Sequence, residues 1–118
     1  MEIVNLTAHP LNFVSNDGQV ILTVPPSGTV TRVATDRQLV GTINTADDNL
    51  GDDSSPQLAI TVPNFGQITD LPDPQAGTIF VVSAMVAIAA GRDDVFSPGD
   101  LVRGPGGQPV GCRGLTRQ

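Results

Sequence analysis

Residues 77–94, GTIFVVSAMVAIAAGRDD, join an apolar run to an alanine-rich segment through Ser83 and close on a glycine, an arginine and two aspartates. Thr78–Val82 reads as a buried strand, because β-branched and aromatic residues follow one another without a polar interruption. Ala84–Ala90 is the one segment with consistent helical propensity, and Gly91 is well placed to end it. A strand that turns directly into a helix leaves backbone N–H groups unpaired at the helix start. Ser83 stands there as an N-cap or as a hydroxyl beside a bound anion.

Outward from this junction the pattern is that of short strands separated by Gly, Pro and Asn-Asp clusters. Asn16-Asp17-Gly18 predicts a tight hairpin joining Leu11–Ser15 to Gln19–Val24. Pro25-Pro26-Ser27-Gly28 ends that second strand, since two successive prolines remove two ladder donors. Further strands are expected over Glu2–Thr7, Thr29–Ala34, Gln38–Ile43, Gln57–Val62 and Gln67–Leu71. Ser97-Pro98-Gly99-Asp100 and Gly104-Pro105-Gly106-Gly107 read as turns flanking a short strand at Leu101–Arg103, with a last strand at Val110–Leu115. The expectation is a mainly β chain, residues 1–118 as a single small domain, built as a partly open β-barrel or sandwich of about seven to nine strands with one short α-helix.

Composition narrows the function. The chain has 118 residues and a net charge of −6, which opposes attraction to DNA, RNA or anionic membranes. No apolar stretch approaches the roughly 20 residues of a membrane span. The single cysteine, Cys112, cannot form an internal bridge, and the N-terminus lacks signal-peptide character, so a reducing cytoplasm is the expected location. Tryptophan and tyrosine are absent, which removes most stacking platforms for single-stranded nucleic acid or sugars. There is no lysine, so all six cations are arginines. That bias is first a sign of a GC-rich genome, and arginine forks are also suited to carboxylate or phosphate recognition.

Asp47, Asp48, Asp52 and Asp53 make residues 44–56 an acidic loop without the ligand spacing of an EF-hand, hence a solvated loop rather than a calcium site. Asn5-Leu6-Thr7 matches a glycosylation triplet, but without a secretion signal it reads as no modification site. His9, the only histidine, is the one group through which acid–base chemistry could run, or else an exposed residue at the strand break before Pro10. Val82-Ser83-Ala84 lacks the flanking glycines of a nucleophile elbow. Arg92, Asp93 and Asp94 follow the helix, either as a cation favourably placed near the helix C-terminus with an Asp-rich turn, or as a fork onto a ligand anion with an aspartate holding it or accepting from a ribose-type hydroxyl. Arg103 and Arg113, each on a short strand bounded by glycines, could converge with Arg92, and Arg32 is a further ligand-binding candidate. No complete catalytic set and no metal-ligand spacing is present, so neither catalytic residues, a metal nor a cofactor is expected.

Four pieces, NLTAHPLNFV, VPPSGTVTRV, LPDPQAGTIFVVSAMVA with its GRDDVFSPG continuation, and PVGCRGL, together resemble a family of small proteins encoded by actinobacteria and bacteriophages. The resemblance covers nearly all of the chain except the acidic loop. It implies a phage or actinobacterial setting and a cytosolic location, with no established activity to carry over. It points to His9, Pro26, Gly28, Arg32, Ser83, Arg92, Asp93, Asp94, Arg103 and Arg113 without giving them roles. The expectation is a homo-oligomeric binding protein for a small anionic, phosphorylated or nucleotide-like ligand, such as a phage anti-defence sponge that sequesters a nucleotide-derived immune signal. Ser83, Arg92 and Arg103 or Arg113 would hold the anion, with His9 or Asp94 on hydroxyls. The alternatives are a capsid-decorating virion protein and a small nucleotide or phosphodiester hydrolase using His9 with Asp93 or Asp94.

Overall fold

The computed structural model describes residues 1–45 and 56–117. Four of the strands are short: β1 (Glu2–Asn5), β2 (Leu11–Val14), β3 (Val20–Val24) and β6 (Thr78–Val81). Two are long, β4 (Arg32–Asn44) and β5 (Gln57–Thr69), and two are intermediate, β7 (Val95–Arg103) and β8 (Pro109–Arg117). Between β6 and β7 runs α1 (Ala84–Ala90), the only helix among the described residues. The chain is therefore mainly β with one short helix, as its sequence indicates. Its contacts form two compact units, Met1–Val33 with Gln67–Gln118, and Ala34–Gly66.

The larger unit is a six-stranded open sheet in the order β1-β6-β7-β8-β2-β3. The pairs β1–β6, β6–β7 and β2–β8 are parallel, and β7–β8 and β2–β3 are antiparallel. Successive side chains of a strand point to opposite faces, and this alternation splits the core in two. Phe80 and Val82 meet Leu6, Val95 and the helix residues Val86 and Ala87 on one face. Val81 meets Leu11, Phe13 and Cys112 on the other, with Ile3, Val24 and Leu115 packed against them. The edge strands β1 and β3 are tied at one end, where Ser27 N–H donates to the Asn5 carbonyl and the Asn5 side chain donates to the Val24 carbonyl. The sheet is open, and that tie is the step it takes toward a barrel.

Where the residues of one turn decide the structure, the expected elements are present. Ser15 and Gln19 close the β2–β3 hairpin over a left-handed Gly18. Ser83 caps α1, accepting from Val86 N–H, and Gly91 ends it in the left-handed conformation. The Gly104–Gln108 turn joins β7 to β8.

Three expectations are corrected. Ser97-Pro98-Gly99-Asp100 is no turn but the middle of β7, where Gly99 lies so close to the β8 backbone that a Cβ would strike the Arg113 carbonyl. Glycine permits that approach. Thr29–Ala34 and Gln38–Ile43 are not separate strands, since β4 runs unbroken from Arg32 to Asn44. Likewise Gln57–Val62 and Gln67–Leu71 merge into β5 straight through Pro63-Asn64-Phe65-Gly66. β5 contains Pro63, which an edge strand can accommodate, and in a two-stranded sheet both strands are edges. The acidic run from Ala46 to Ser55 lies outside the described residues.

Candidate functional site

Asn5 organises the part of the molecule that has a site. It is 1% exposed at the end of β1, and its Nδ2 donates to the carbonyls of His9 (2.8 Å) and Val24 (3.1 Å). Its Oδ1 accepts from Thr7 N–H (2.9 Å) and Thr7 Oγ1 (2.6 Å), while that hydroxyl sits 3.0 Å from the His9 carbonyl. A buried amide whose donors and acceptor are all used is a rigid fastening, because no bond can be released without leaving a polar group dry. The Asn-Leu-Thr-Ala-His-Pro segment is thus a clamped turn, and it fixes the backbone that carries His9.

His9 and Pro10 form one wall of a cleft of about 420 Å3. Leu11 and Asn12 of β2, Pro98 and Leu101 of β7, and Pro109 to Cys112 of β8 complete it. Gly111 shapes this floor by close approach, since a Cβ there would meet the Asn12 carbonyl and the Val14 side chain. The lining is mostly aliphatic and proline, with His9 and Asn12 as its polar side chains. Asn12 Oδ1 accepts from Thr23 Oγ1 at 2.9 Å. Burial pushes the Cys112 thiol above its ordinary value, the backbone hydrogen bond with Gly99 opposing this in part. The thiol stays protonated at neutral pH and is a wall atom rather than a nucleophile. A second apolar cleft, about 330 Å3, is lined by Ile3, Phe13, Val14, Ile21, Leu22, Gly114 and Leu115.

The other residues singled out from the sequence are placed elsewhere, and neither cleft is lined by an arginine. Ser83 spends its hydroxyl on the helix cap, 3.4 Å from Val86 N. Arg92 donates to both oxygens of Asp94, at 3.0 and 2.7 Å, and to the Pro72 carbonyl at 2.9 Å. Its guanidinium also lies 5.9 Å from the Phe80 ring centre. All of its forks are turned onto the chain itself, tying the segment before β6 to the segment after α1. The hydrogen bonds and charge of Arg92 hold the Asp94 carboxyl below the usual carboxylate range, against the opposing effect of burial. Asp93 pairs with Arg117 at 2.8 Å on an exposed surface. Arg113 faces Asp100 across the β7–β8 ladder, and Arg32 is exposed at the start of β4.

Arg103 is the one arginine with a direct relation to the cleft. It is exposed, its Cα partner across the ladder is the cleft residue Pro109, and its Nη1 donates to the Gly107 carbonyl at 2.8 Å. Sequence reasoning missed Asn5, Pro98, Leu101 and Pro109 as parts of a site. The signal for Asn5 was present: a polar residue followed by Leu6-Thr7 where a surface strand should alternate more cleanly. The described residues hold no group of three or more His, Cys, Asp or Glu able to ligate a metal, and none of their helices is long and apolar enough to cross a membrane. The chain matches no protein-family model, no curated protein and no solved structure.

Proposed function

We propose that the protein binds a small nucleotide-like ligand in the His9 cleft, with the ring portion against Pro10, Leu11, Pro98, Leu101 and Pro109 and the anionic end toward Arg103. The observation that carries this reading is the Asn5 clamp, which holds His9 in place at a preformed cleft of ligand size. Flat aliphatic and proline walls suit a heterocycle. His9 supplies one directional hydrogen bond, and the exposed Arg103, which gives one N–H to the Gly107 carbonyl, supplies the charge. In the phage setting that the resemblance implies, such binding would act as a cytosolic sponge for a nucleotide-derived immune signal. Hydrolysis loses ground, because Asp93 and Asp94, its candidate partners for His9, are paired with Arg117 and Arg92.

Native mass spectrometry of the protein purified from infected or defence-activated cells, set against its denatured mass, tests the reading first. A discrete extra mass lost on denaturation identifies the ligand. A melting-temperature panel of mono-, di- and cyclic nucleotides then places it. A bound nucleotide raises the melting temperature of the native protein by mass action, His9→Ala and Leu101→Arg abolish the rise, and Ser83→Ala keeps it. A ligand-free native mass together with no nucleotide that shifts the melt contradicts the reading. The second reading is a structural virion component, favoured by the exposed apolar surface of β4 and β5, and those negative results would move the balance toward it.

A further inference from the structure

The polar groups of the His9 cleft differ in what they can read. A neutral imidazole offers one donor and one acceptor, so His9 fits either kind of partner. Asn12 does not. It is half-buried on β2, and from the register position opposite it on β3 the Thr23 hydroxyl donates to Asn12 Oδ1 at 2.9 Å. In the sheet, β3 flanks β2 on one side, and β8, whose residues Pro109 to Cys112 line the cleft, flanks it on the other. With Oδ1 held toward β3, the end of the amide left for the cleft is Nδ2. That group is a donor only, and it has no hydrogen-bond partner among the described residues.

The prolines and the Asn5 clamp limit what the backbone can supply instead. Pro10, Pro98 and Pro109 bring no N–H to the lining. The His9 carbonyl already accepts from Asn5 Nδ2 and Thr7 Oγ1, and the Pro98 carbonyl from Thr116 Oγ1. Resting on the reading that a nucleotide-like ligand binds here, we infer that Asn12 is a specificity-determining residue whose Nδ2 donates to an oxo group of the base. The cleft then takes oxo heterocycles of the hypoxanthine, guanine or uracil kind in preference to adenine and cytosine. An exocyclic amino group in the same place sets donor against donor, and neither finds a partner among proline and aliphatic walls. Thr23 is a positioning residue. Without its hydroxyl the amide is free to turn end for end, and Oδ1 then accepts from an amino group as readily as Nδ2 donates to an oxo group. The backbone below the amide is held, because the Asn12 carbonyl lies against Gly111 at a distance that excludes a Cβ.

Isothermal titration of the full-length protein with matched nucleoside monophosphates reads the preference directly. Inosine monophosphate is expected to bind about tenfold tighter than adenosine monophosphate, and uridine monophosphate about tenfold tighter than cytidine monophosphate, the weight of one hydrogen bond exchanged for a donor clash. Asn12→Asp, whose carboxylate accepts and cannot donate, brings both ratios to one or below. Thr23→Val brings them close to one, and Thr23→Ser keeps them. Asn12 is half-buried and Thr23 exposed, so the melting temperatures of these variants stay near that of the wild type. Wild-type ratios near one overturn the inference, and so does a wild-type ratio kept in Asn12→Asp or in Thr23→Val. If the four nucleotides bind with equal affinity, the inference fails and the ligand reading of the cleft stands; if none binds, both fail.

Discussion

The two units of this chain solve the same problem with opposite means. The six-stranded unit buries side chains on both faces of its sheet and fastens its connections with side-chain hydrogen bonds from Asn5, Thr31 and Arg92. The ribbon follows the same alternation of β-branched and polar residues and buries none of them. The difference lies in neighbours rather than in composition. A strand such as β6 has partners on two edges and packing on two faces, so Phe80 and Val81 reach 1% and 0% exposure. Leu39, with one partner strand and no covering layer, remains 61% exposed. β-propensity describes fitness for a half-buried surface, and it becomes stability only when a second layer exists.

That contrast breaks most visibly at the core. Phe80→Ala should cost about 3–5 kcal/mol in urea unfolding, whereas Leu39→Ala should cost the six-stranded unit under about 0.5 kcal/mol. Equal costs would mean that the two surfaces are not different in kind. Next in size is the clamp. Asn5→Ala removes the Asn5 bonds from the Val24 carbonyl and the Thr7 N–H and leaves the His9 carbonyl with the Thr7 hydroxyl alone, a loss of about 2–4 kcal/mol. Residue-resolved NMR should show the His9 ring signals broadened or multiplied in that variant, while a sharp, unshifted His9 would separate the clamp from the cleft.

The smallest effect is electrostatic. Because Arg92 lowers the Asp94 pKa in the folded state, the unfolded chain takes up that proton first as pH falls. The pair's contribution is therefore full at neutral pH and is lost on acidification below about pH 4, the ordinary carboxylate range, through the lower folded value. Asp94→Asn should flatten the pH dependence of the unfolding midpoint in that window and leave its slope above pH 6 unchanged. An unaltered acid limb would show that the pair carries no linkage.

What the sequence made legible follows the range of the forces involved. The hairpin over Asp17-Gly18 and the helix between Ser83 and Gly91 are fixed by residues within one turn, and both were readable. Pro98-Gly99 looked like a turn because the reason for a strand lies fifteen residues away, in the Arg113 and Gly114 carbonyls against which only glycine fits. The merging of four expected strands into β4 and β5 depends on each supporting the other across the hairpin, which no single window contains. At the site, Ser83 and Arg92 were legible as groups with strong bonding capacity. The cap on Val86 was among the readings of Ser83, and the structure keeps it; the bonds of Arg92 to Asp94 and to Pro72, twenty residues away, were not, so its capacity was read as a ligand grip where the structure spends it on the chain. His9 was legible by its uniqueness, whereas the proline and aliphatic walls around it are assembled from three strands.

Hydrogen exchange measured along the chain tests the contrast between the units. Slow exchange is expected in β1, β2, β6 and β7, and exchange faster by orders of magnitude in β4 and β5, whose side chains are exposed. Protection of Leu39–Ile43 and Leu58–Val62 as strong as that of β6 would show instead that the ribbon is stable without a covering layer.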